Sequence, residues 1–484
     1  MYLGIDLGTS GLRALLIETN GRAIADAQAQ YPVQNPHSGW SEQDPNDWII
    51  AAEKSIESLK SQHPKQFSAL RGIGLSGQMH GAVLLDHAGK VLRPCILWND
   101  TRAAKEAAAL DGYAEMRGLS GNIVFPGFTA PKLQWIKTHE PEIFARIAKV
   151  LLPKDYLRFW LTKEYVSDMS DSAGTSWLDV EKRDWSETLL SLSSMTEEQM
   201  PKLVEGSECS GYLRTDLQKR WGINQPVLVA GGGGDNAAAA CGVGCFNEGD
   251  GFISLGTSGV LLAAKDSYAP NPASAVHTFC HAIPNTWYQM GVTLAATDCL
   301  NWLSRQTGQT PEALNAALPE TPKGPASVTF LPYLSGERTP HNNASIRGSL
   351  LGLDIADTPA TLTQAVMEGV AYSLADCLES LESTGTSLTR LLAIGGGTQS
   401  AFWVKTLANI LNIPVALPLK GEFGAALGAA RLAIIADNAA TTISEVLSAP
   451  EIAETLDPNP KHRAQYADSL ADYRSFYLKT NRMK

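Results

Sequence analysis

The stretch Gly4-Ile5-Asp6-Leu7-Gly8-Thr9-Ser10-Gly11 returns as Phe252-Ile253-Ser254-Leu255-Gly256-Thr257-Ser258-Gly259, 248 positions further on. In each copy an apolar run enters Leu-Gly-Thr-Ser-Gly and a second apolar run leaves it (Leu12 to Ile17, Val260 to Ala264). This pattern predicts a β-hairpin closed by a tight polar turn. Glycines let backbone N–H groups converge, and the Thr and Ser hydroxyls add donors, so each turn predicts a small anion-binding concavity. Two such turns half a chain apart predict two lobes built from related halves, with a phosphate chain held between them. The copies differ in charge: Asp6 and Arg13 of the first are Ser254 and Leu261 in the second. A carboxylate beside a phosphate turn is costly without a cation, so Asp6 points to Mg2+ held through water. Arg13 points to a terminal phosphate. The plainer alternative makes both turns ordinary hairpins and Asp6 a turn residue.

At 484 residues the chain has room for two large domains. Its 44% hydrophobic and 18% charged residues predict a soluble globular protein. A net charge of −11 disfavours nucleic acid or an anionic membrane as partner, so any phosphate site has to be assembled locally from backbone donors and a cation. No apolar run reaches transmembrane length, and the strand-like Tyr2-Leu3-Gly4-Ile5 is expected to leave no room for a signal peptide. Seven scattered cysteines without a CxxC pair, and histidines without HExxH spacing, predict neither a disulfide framework nor a structural metal, and fit a reducing cytoplasm. No Walker A sequence occurs.

Residues 2–30 read as three strands, with Thr19-Asn20-Gly21 as the second turn, and a loop over 34–45 leads into a helix from Pro45 to Leu59. That loop reads equally as a surface connection capped by Asp44 or as part of a site. The segment Leu70 to Gly81 contains a literal GxGxxG at Gly72, Gly74 and Gly77. The next residues, Ala82 to Asp86, read as a strand, not the helix that a dinucleotide site needs, so the match is rejected. Gln78, Met79 and His80 then sit at a strand end, where substrate-contacting side chains collect. The alternative for His80 is a buried histidine satisfied by backbone. Residues 92–100 read as a strand, and 101–150 as mostly helical with breaks at 121–122 and 126–132. The hydroxyl- and acid-rich stretch Ser167 to Thr175 reads as a solvated loop.

A strand over 226–230 runs into Gly231-Gly232-Gly233-Gly234, after which Asp235-Asn236 caps an Ala-rich helix. As an N-cap, Asp235 would be worth about 1 kcal/mol. Four glycines, each losing extra backbone entropy on folding, fit better where the backbone must admit a ligand. A carboxylate there is placed to act as a general base. The turn-rich segment Cys245 to Gly251 is the predicted boundary between domains 1–244 and 245–484. The second half repeats the plan. Its hairpin is followed by a helix over 293–306, a polar loop over 331–343 and an amphipathic helix over 358–383. A strand then leads into Gly395-Gly396-Gly397-Thr398-Gln399, whose bare backbone would accept a base or ribose. A small-residue helix over 421–430 and a basic terminal helix over 461–484 close the chain.

In this order, these residues resemble the FGGY carbohydrate kinases over nearly the whole chain. The hairpins at 4–11 and 252–259 and the glycines within 394–397 match the family's pattern. Trp40-Ser41-Glu42-Gln43-Asp44-Pro45, Gly77-Gln78-Met79-His80-Gly81, Trp98-Asn99-Asp100, Ser335-Gly336-Glu337-Arg338-Thr339-Pro340 and Gly233-Gly234-Asp235-Asn236 are similar to those members that act on D-xylulose. The resemblance implies an α/β fold of two ribonuclease H-like domains, of the actin, sugar kinase and heat-shock chaperone ATPase superfamily, flanking a central cleft. It implies ATP-dependent phosphorylation of D-xylulose at the 5-hydroxyl, with residues 1–244 binding sugar and supplying the base and 245–484 mainly binding nucleotide.

By the same resemblance Asp235 is the catalytic base, and Met79, His80, Asp235 and Asn236 contact the ketopentose. Asp6 would serve Mg2+. Thr9, Ser10, Arg13, Gly256 and Thr257 would face the ATP phosphates, and Gly396, Gly397 and Gln399 the adenosine side. The implied partners are the ketopentose and ATP, with a homodimer as the compatible assembly, and neither nucleic acid nor membrane. One departure is the run of four glycines before Asp235, where the family has three. The extra residue is expected to be absorbed by the strand. The rival readings are a kinase for ribulose, glycerol or gluconate, and a nucleotide-dependent switch ATPase of the same superfamily.

Overall fold

The computed structural model describes residues 1–419, 424–438 and 441–482. Two mixed sheets of seven strands each organise them. The first is built from β1 (Tyr2–Leu7), β2 (Gly11–Ile17), β3 (Ala23–Gln30), β4 (Gly72–Gly77), β5 (Cys209–Tyr212), β6 (Leu228–Ala230) and β7 (Gly233–Gly234). Its order is β5-β6-β4-β1-β2-β3, with β7 also on β4. The second comprises β8 (Gly251–Leu255), β9 (Gly259–Lys265), β10 (His277–Cys280), β11 (Trp287–Thr293), β12 (Leu391–Ile394), β13 (Val415–Pro418) and β14 (Ile452–Leu456), in the order β10-β11-β9-β8-β12-β13-β14. The two share one plan. Three antiparallel strands (β3-β2-β1, β11-β9-β8) continue into two parallel ones (β4-β6, β12-β13). The duplicated sequence forms the first hairpin of each sheet, as its spacing predicts.

Helix α1 (Pro45–Gln62) starts where the Asp44 side chain accepts the Asn46 N–H and Pro45 takes the first turn. Its Trp48, Ala52, Ile56 and Leu59 join Leu12 and Leu16 of β2 in the first core. Further helices are α2 (Thr129–His139), α3 (Pro153–Thr162), α4 (Asp235–Val243), α5 (Thr297–Thr307), α6 (Pro359–Glu382), α7 (Ala401–Leu411), α8 (Gly424–Asp437) and α9 (Arg463–Arg482). No helix among the described residues is long and apolar enough to cross a membrane.

Helix α8 lies late in the chain but joins both cores. Its Ala426, Ala430, Ala433 and Ile434 pack with Tyr2, Leu15, Ile17 and Leu228 of the first sheet. Leu432 and Ile435 pack with Phe252, Leu262 and Leu392 of the second, beside Ala237, Ala240 and Cys241 of α4. Bare backbone permits this closeness: a Cβ on Gly74 would stand 1.7 Å from the Ala429 oxygen, one on Gly4 1.9 Å from the Ala426 oxygen, and one on Gly428 1.7 Å from the Ala238 oxygen. Glycines in the rejected dinucleotide match therefore serve helix packing. The predicted small-residue helix begins at Gly424, and residues 421–423 of that prediction lie outside the described residues.

Several local expectations change. The stretch 167–175 is not solvated: Ser167, Asp168, Ser170, Asp171, Ser172 and Thr175 are all buried, because Lys154 of α3 supplies a cation to their carboxylates. Helix α2 runs through Pro131, which falls in the first turn, where a missing N–H costs no helical bond. The strand at 92–100 shrinks to Cys95–Ile96. The helix expected from 293 starts at Thr297, since β11 extends to Thr293. Helix α6 is buried on most faces rather than amphipathic, being enclosed in the second core.

Candidate active site

In an open α/β sheet, ligands collect beyond the carboxyl ends of parallel strands. At that end of the first sheet stand Asp6 on β1, Ser76 on β4 and the glycine run after β6. Asp6 and Gly233 both register with Ser76, from its two sides. Ser76 Oγ donates to Asp6 Oδ1 at 3.0 Å. Burial raises the Asp6 carboxyl, while the Ser76 hydroxyl and Arg13 oppose that rise. Arg13 lies opposite Asp6 in the ladder and pairs with Asp26 on β3 at 3.5 Å.

The glycine run is one residue longer than the stretch of β4 it lies along. Val229 pairs with Ile73, and Gly233 pairs with Ser76. The glycine side thus uses one residue more than β4 over the same span, and the surplus is taken up as a bulge. Gly232 there has φ +71°, and a Cβ on it would stand 2.0 Å from the Leu75 oxygen. A Cβ on Gly231 would stand 2.1 Å from the Glu205 oxygen, and one on Gly234 would meet Met79 at 3.0 Å. These glycines admit the protein's own backbone and the Met79 side chain, not a ligand as the sequence suggests.

Asp235 is the first residue of α4, and Gly234 takes the cap position with no side-chain bond. Asp235 therefore does not cap the helix. Its Oδ1 accepts from the Asn236 backbone N–H (2.7 Å) and the Asn236 side chain (2.9 Å). Burial, with the Asp6 charge added, raises its carboxyl to about 7, the range suited to a general base at neutral pH.

Next to Met79, which packs on Gly234, His80 holds φ +69°, a conformation that costs energy for a residue other than glycine. Three contacts secure it. Lys132 Nζ (2.7 Å) and Thr129 Oγ1 (3.1 Å) donate to its carbonyl, and its Nδ1 meets the Gly174 carbonyl at 2.7 Å. Because Gly174 can only accept there, Nδ1 carries the proton and Nε2 is an acceptor. The ring stacks on Phe128 (4.5 Å), and burial followed by the Lys132 charge lowers its pKa to about 3. His80 is thus partly satisfied by backbone, as one reading expected, with its second nitrogen remaining for a ligand.

Thr9 is tied to the same region. Its Oγ1 donates to Gln78 Oε1 (3.2 Å) and accepts from Trp98 Nε1 (2.9 Å), while Gln43 Nε2 donates to its carbonyl (2.6 Å). Gln78 Nε2 closes the ring by donating to Gln43 Oε1 at 2.9 Å. In the 34–45 loop Asp44 caps α1, as one reading expected, while Ser41, Glu42 and Gln43 are buried and Gln43 bonds Thr9 and Gln78. Ser76 and Lys132 were not among the expected site residues, and of these only the polar residue inside an apolar strand (Ser76) carries a local signal in the sequence. Ser10 is exposed at the turn tip, and its carbonyl accepts the Tyr31 N–H at 3.3 Å.

Gly256, Thr257, Gly396, Gly397 and Gln399 stand apart from this group, at the equivalent end of the second sheet. The Gly256 carbonyl accepts from Thr297 N (3.0 Å) and Thr297 Oγ1 (2.8 Å), and the Thr257 carbonyl from Ala296 N (2.8 Å). This fastens the second turn to the start of α5. Gly397 packs on Leu255, while a Cβ on Gly396 would meet open space, and Gln399 is exposed.

A duplicated hairpin sheet with acids at one set of strand ends agrees with the comparisons. Residues 1–242 match the N-terminal domain, and 251–436 the C-terminal domain, of the FGGY family of carbohydrate kinases. The chain belongs to that family. It is a sugar kinase phosphotransferase with the family's two-domain α/β fold. It is 45% identical over 479 residues to a xylulose kinase of Escherichia coli, covering 99% of this chain and 98% of that one. A structure of a xyloylose kinase from Brucella ovis superposes with a TM-score of 0.98 at 55% identity, covering all of both chains. The xylulose kinase of Rhodospirillum rubrum superposes with a TM-score of 0.91 at 27% identity, over 100% of this chain and 99% of that chain.

Proposed function

We propose that the protein transfers the γ-phosphoryl group of ATP to the 5-hydroxyl of D-xylulose, giving D-xylulose 5-phosphate. The observation that supports this most is Asp235: a carboxylate raised to about 7, at a strand end, between Asp6 and the Met79–His80 corner. In this reading the sugar lies against Met79, His80 Nε2 and Asn236. Asp235 takes the hydroxyl proton as the oxygen attacks phosphorus in line, and the O–P bond to ADP breaks. Thr9, Ser10, Arg13, Gly256 and Thr257 flank the phosphates, and Gly396, Gly397 and Gln399 the adenosine, where the bare backbone of Gly396 leaves room. Residues 1–244 then supply sugar binding and base, and 245–484 mainly the nucleotide site.

The donors fit a hard cation. Asp6 and Asp235 are acids close enough for one charge to raise the other's pKa, which suits Mg2+ held by carboxylate, water and substrate phosphate. Bound there, Mg2+ would neutralise charge on the transferring phosphate. Seven free cysteines suit a cytoplasmic setting. The test is coupled-assay ATP turnover with D-xylulose, D-ribulose, L-ribulose, gluconate and glycerol. D-Xylulose should give the highest kcat/KM, and sugar-independent turnover at the same rate would overturn the reading in favour of a switch ATPase.

A further inference from the structure

The buried 167–175 stretch and α3 reach the site through the glycine run. Arg158 of α3 donates through Nη1 to the Ala230 carbonyl (2.5 Å) and through Nη2 to the Gly231 carbonyl. At the far end of the run, the Gly234 N–H donates to Ser170 Oγ at 3.1 Å. A serine hydroxyl has one proton, and Ser170 gives it to Asp168 Oδ2, so a lone pair is left facing Gly234. Behind these bonds Lys154 Nζ stands 2.6 Å from Asp155 Oδ1, 2.7 Å from Asp168 Oδ1 and 3.1 Å from Asp171 Oδ2, all without solvent exposure. Arg158 completes the cluster 3.6 Å from Asp155.

Burying such a cluster is a poor route to stability, since desolvation offsets most of the attraction. It suits a place where fixed geometry is needed. Residues 231–234 carry no side chains, and glycine has the widest backbone freedom. Pairing with β4 and bonds to the Gly206 and Glu208 carbonyls hold the run on one side, and the Ala230 and Gly231 carbonyls and the Gly234 N–H are left to be held from α3 and the 167–175 stretch. We propose that Ser170 and Arg158, anchored by Lys154 and Asp168, are positioning residues: they clamp both ends of the glycine run and so hold the Asp235 carboxylate at one place relative to the sugar hydroxyl. This rests on the reading of Asp235 as the base. A reacting group displaced by about 1 Å loses on the order of 100-fold in rate.

The test compares kcat, both KM values and thermal midpoint for wild type, Ser170→Ala, Ser170→Cys, Ser172→Ala and Asp235→Asn. Ser172 is the control, because its hydroxyl bonds Ser167 Oγ in the same buried stretch (2.9 Å). Ser170→Ala should lower kcat by roughly tenfold to 100-fold with both KM values within about twofold. Ser170→Cys, a weaker acceptor, should fall between it and wild type. Ser172→Ala should keep kcat within about twofold at a similar loss of thermal midpoint. An unchanged kcat in Ser170→Ala, or an equal loss in Ser172→Ala, overturns the proposal. With Asp235→Asn inactive, either result overturns the positioning role alone, whereas an active Asp235→Asn overturns the base and the positioning role together. If Ser170→Ala does not fold, amide exchange in the wild type decides: Gly234 should be protected like the β4 amides, and loop-like exchange overturns the clamp.

Discussion

The Ser76 hydroxyl donates to Asp6 Oδ1 at 3.0 Å across the parallel pair of β1 and β4. A neutral donor orients that carboxylate, and in the proposed function the same carboxylate serves Mg2+. Asp6→Asn should therefore raise the Mg2+ concentration needed for half-maximal activity about tenfold or more, by the loss of the carboxylate charge proposed to hold the ion through water. The KM for D-xylulose should change little. Titration of activity with Mg2+ at saturating substrates measures both.

Asp235 gives a pH prediction with a defined sign. Its folded pKa, about 7, lies above the ordinary carboxylate value of 3.8. In the proposed function Asp235 acts deprotonated, so kcat/KM for D-xylulose should fall with unit slope as pH drops below about 7. For stability, the folded protein keeps this proton between those two values while the unfolded chain has lost it, so ionisation at higher pH costs stability. Asp235→Asn should melt above wild type at about pH 8, with the gain vanishing as pH falls toward the unfolded value.

His80, lowered to about 3, should stay neutral across the whole working range. Its imidazole resonances should show no titration between about pH 5 and 8, and the sugar KM no histidine-like step. Replacing it by Ala removes the Nε2 acceptor and should raise the KM for D-xylulose about tenfold, the worth of roughly one hydrogen bond.

Two glycines should respond oppositely to the same added methyl group. Gly428→Ala drives a Cβ to 1.7 Å from the Ala238 oxygen, and should destabilise the protein by about 3 kcal/mol through displacement of α8 from α4. Gly396→Ala meets open space, so thermal midpoint should hold while the KM for ATP rises. Melting curves and steady-state kinetics separate the two.

The sequence by itself determined the local elements and the list of polar groups. Repeated Leu-Gly-Thr-Ser-Gly hairpins, Pro45 behind Asp44, and a strand rather than a helix after Gly77 arise from short-range sterics and capping, which a few neighbouring residues decide. The tertiary structure decided what those groups touch. Ser167 to Thr175 looks like a solvated loop because its acids carry no local counter-charge, which Lys154, brought by α3, supplies in the fold. Four glycines before Asp235 look like room for a ligand, whereas the space belongs to Leu75, Glu205 and Met79, contributed by segments far off in the chain. The raised carboxyl of Asp235 likewise depends first on burial and then on the charge of Asp6, at the opposite end of the N-terminal half, since desolvation and charge act through space and leave no mark in sequence spacing.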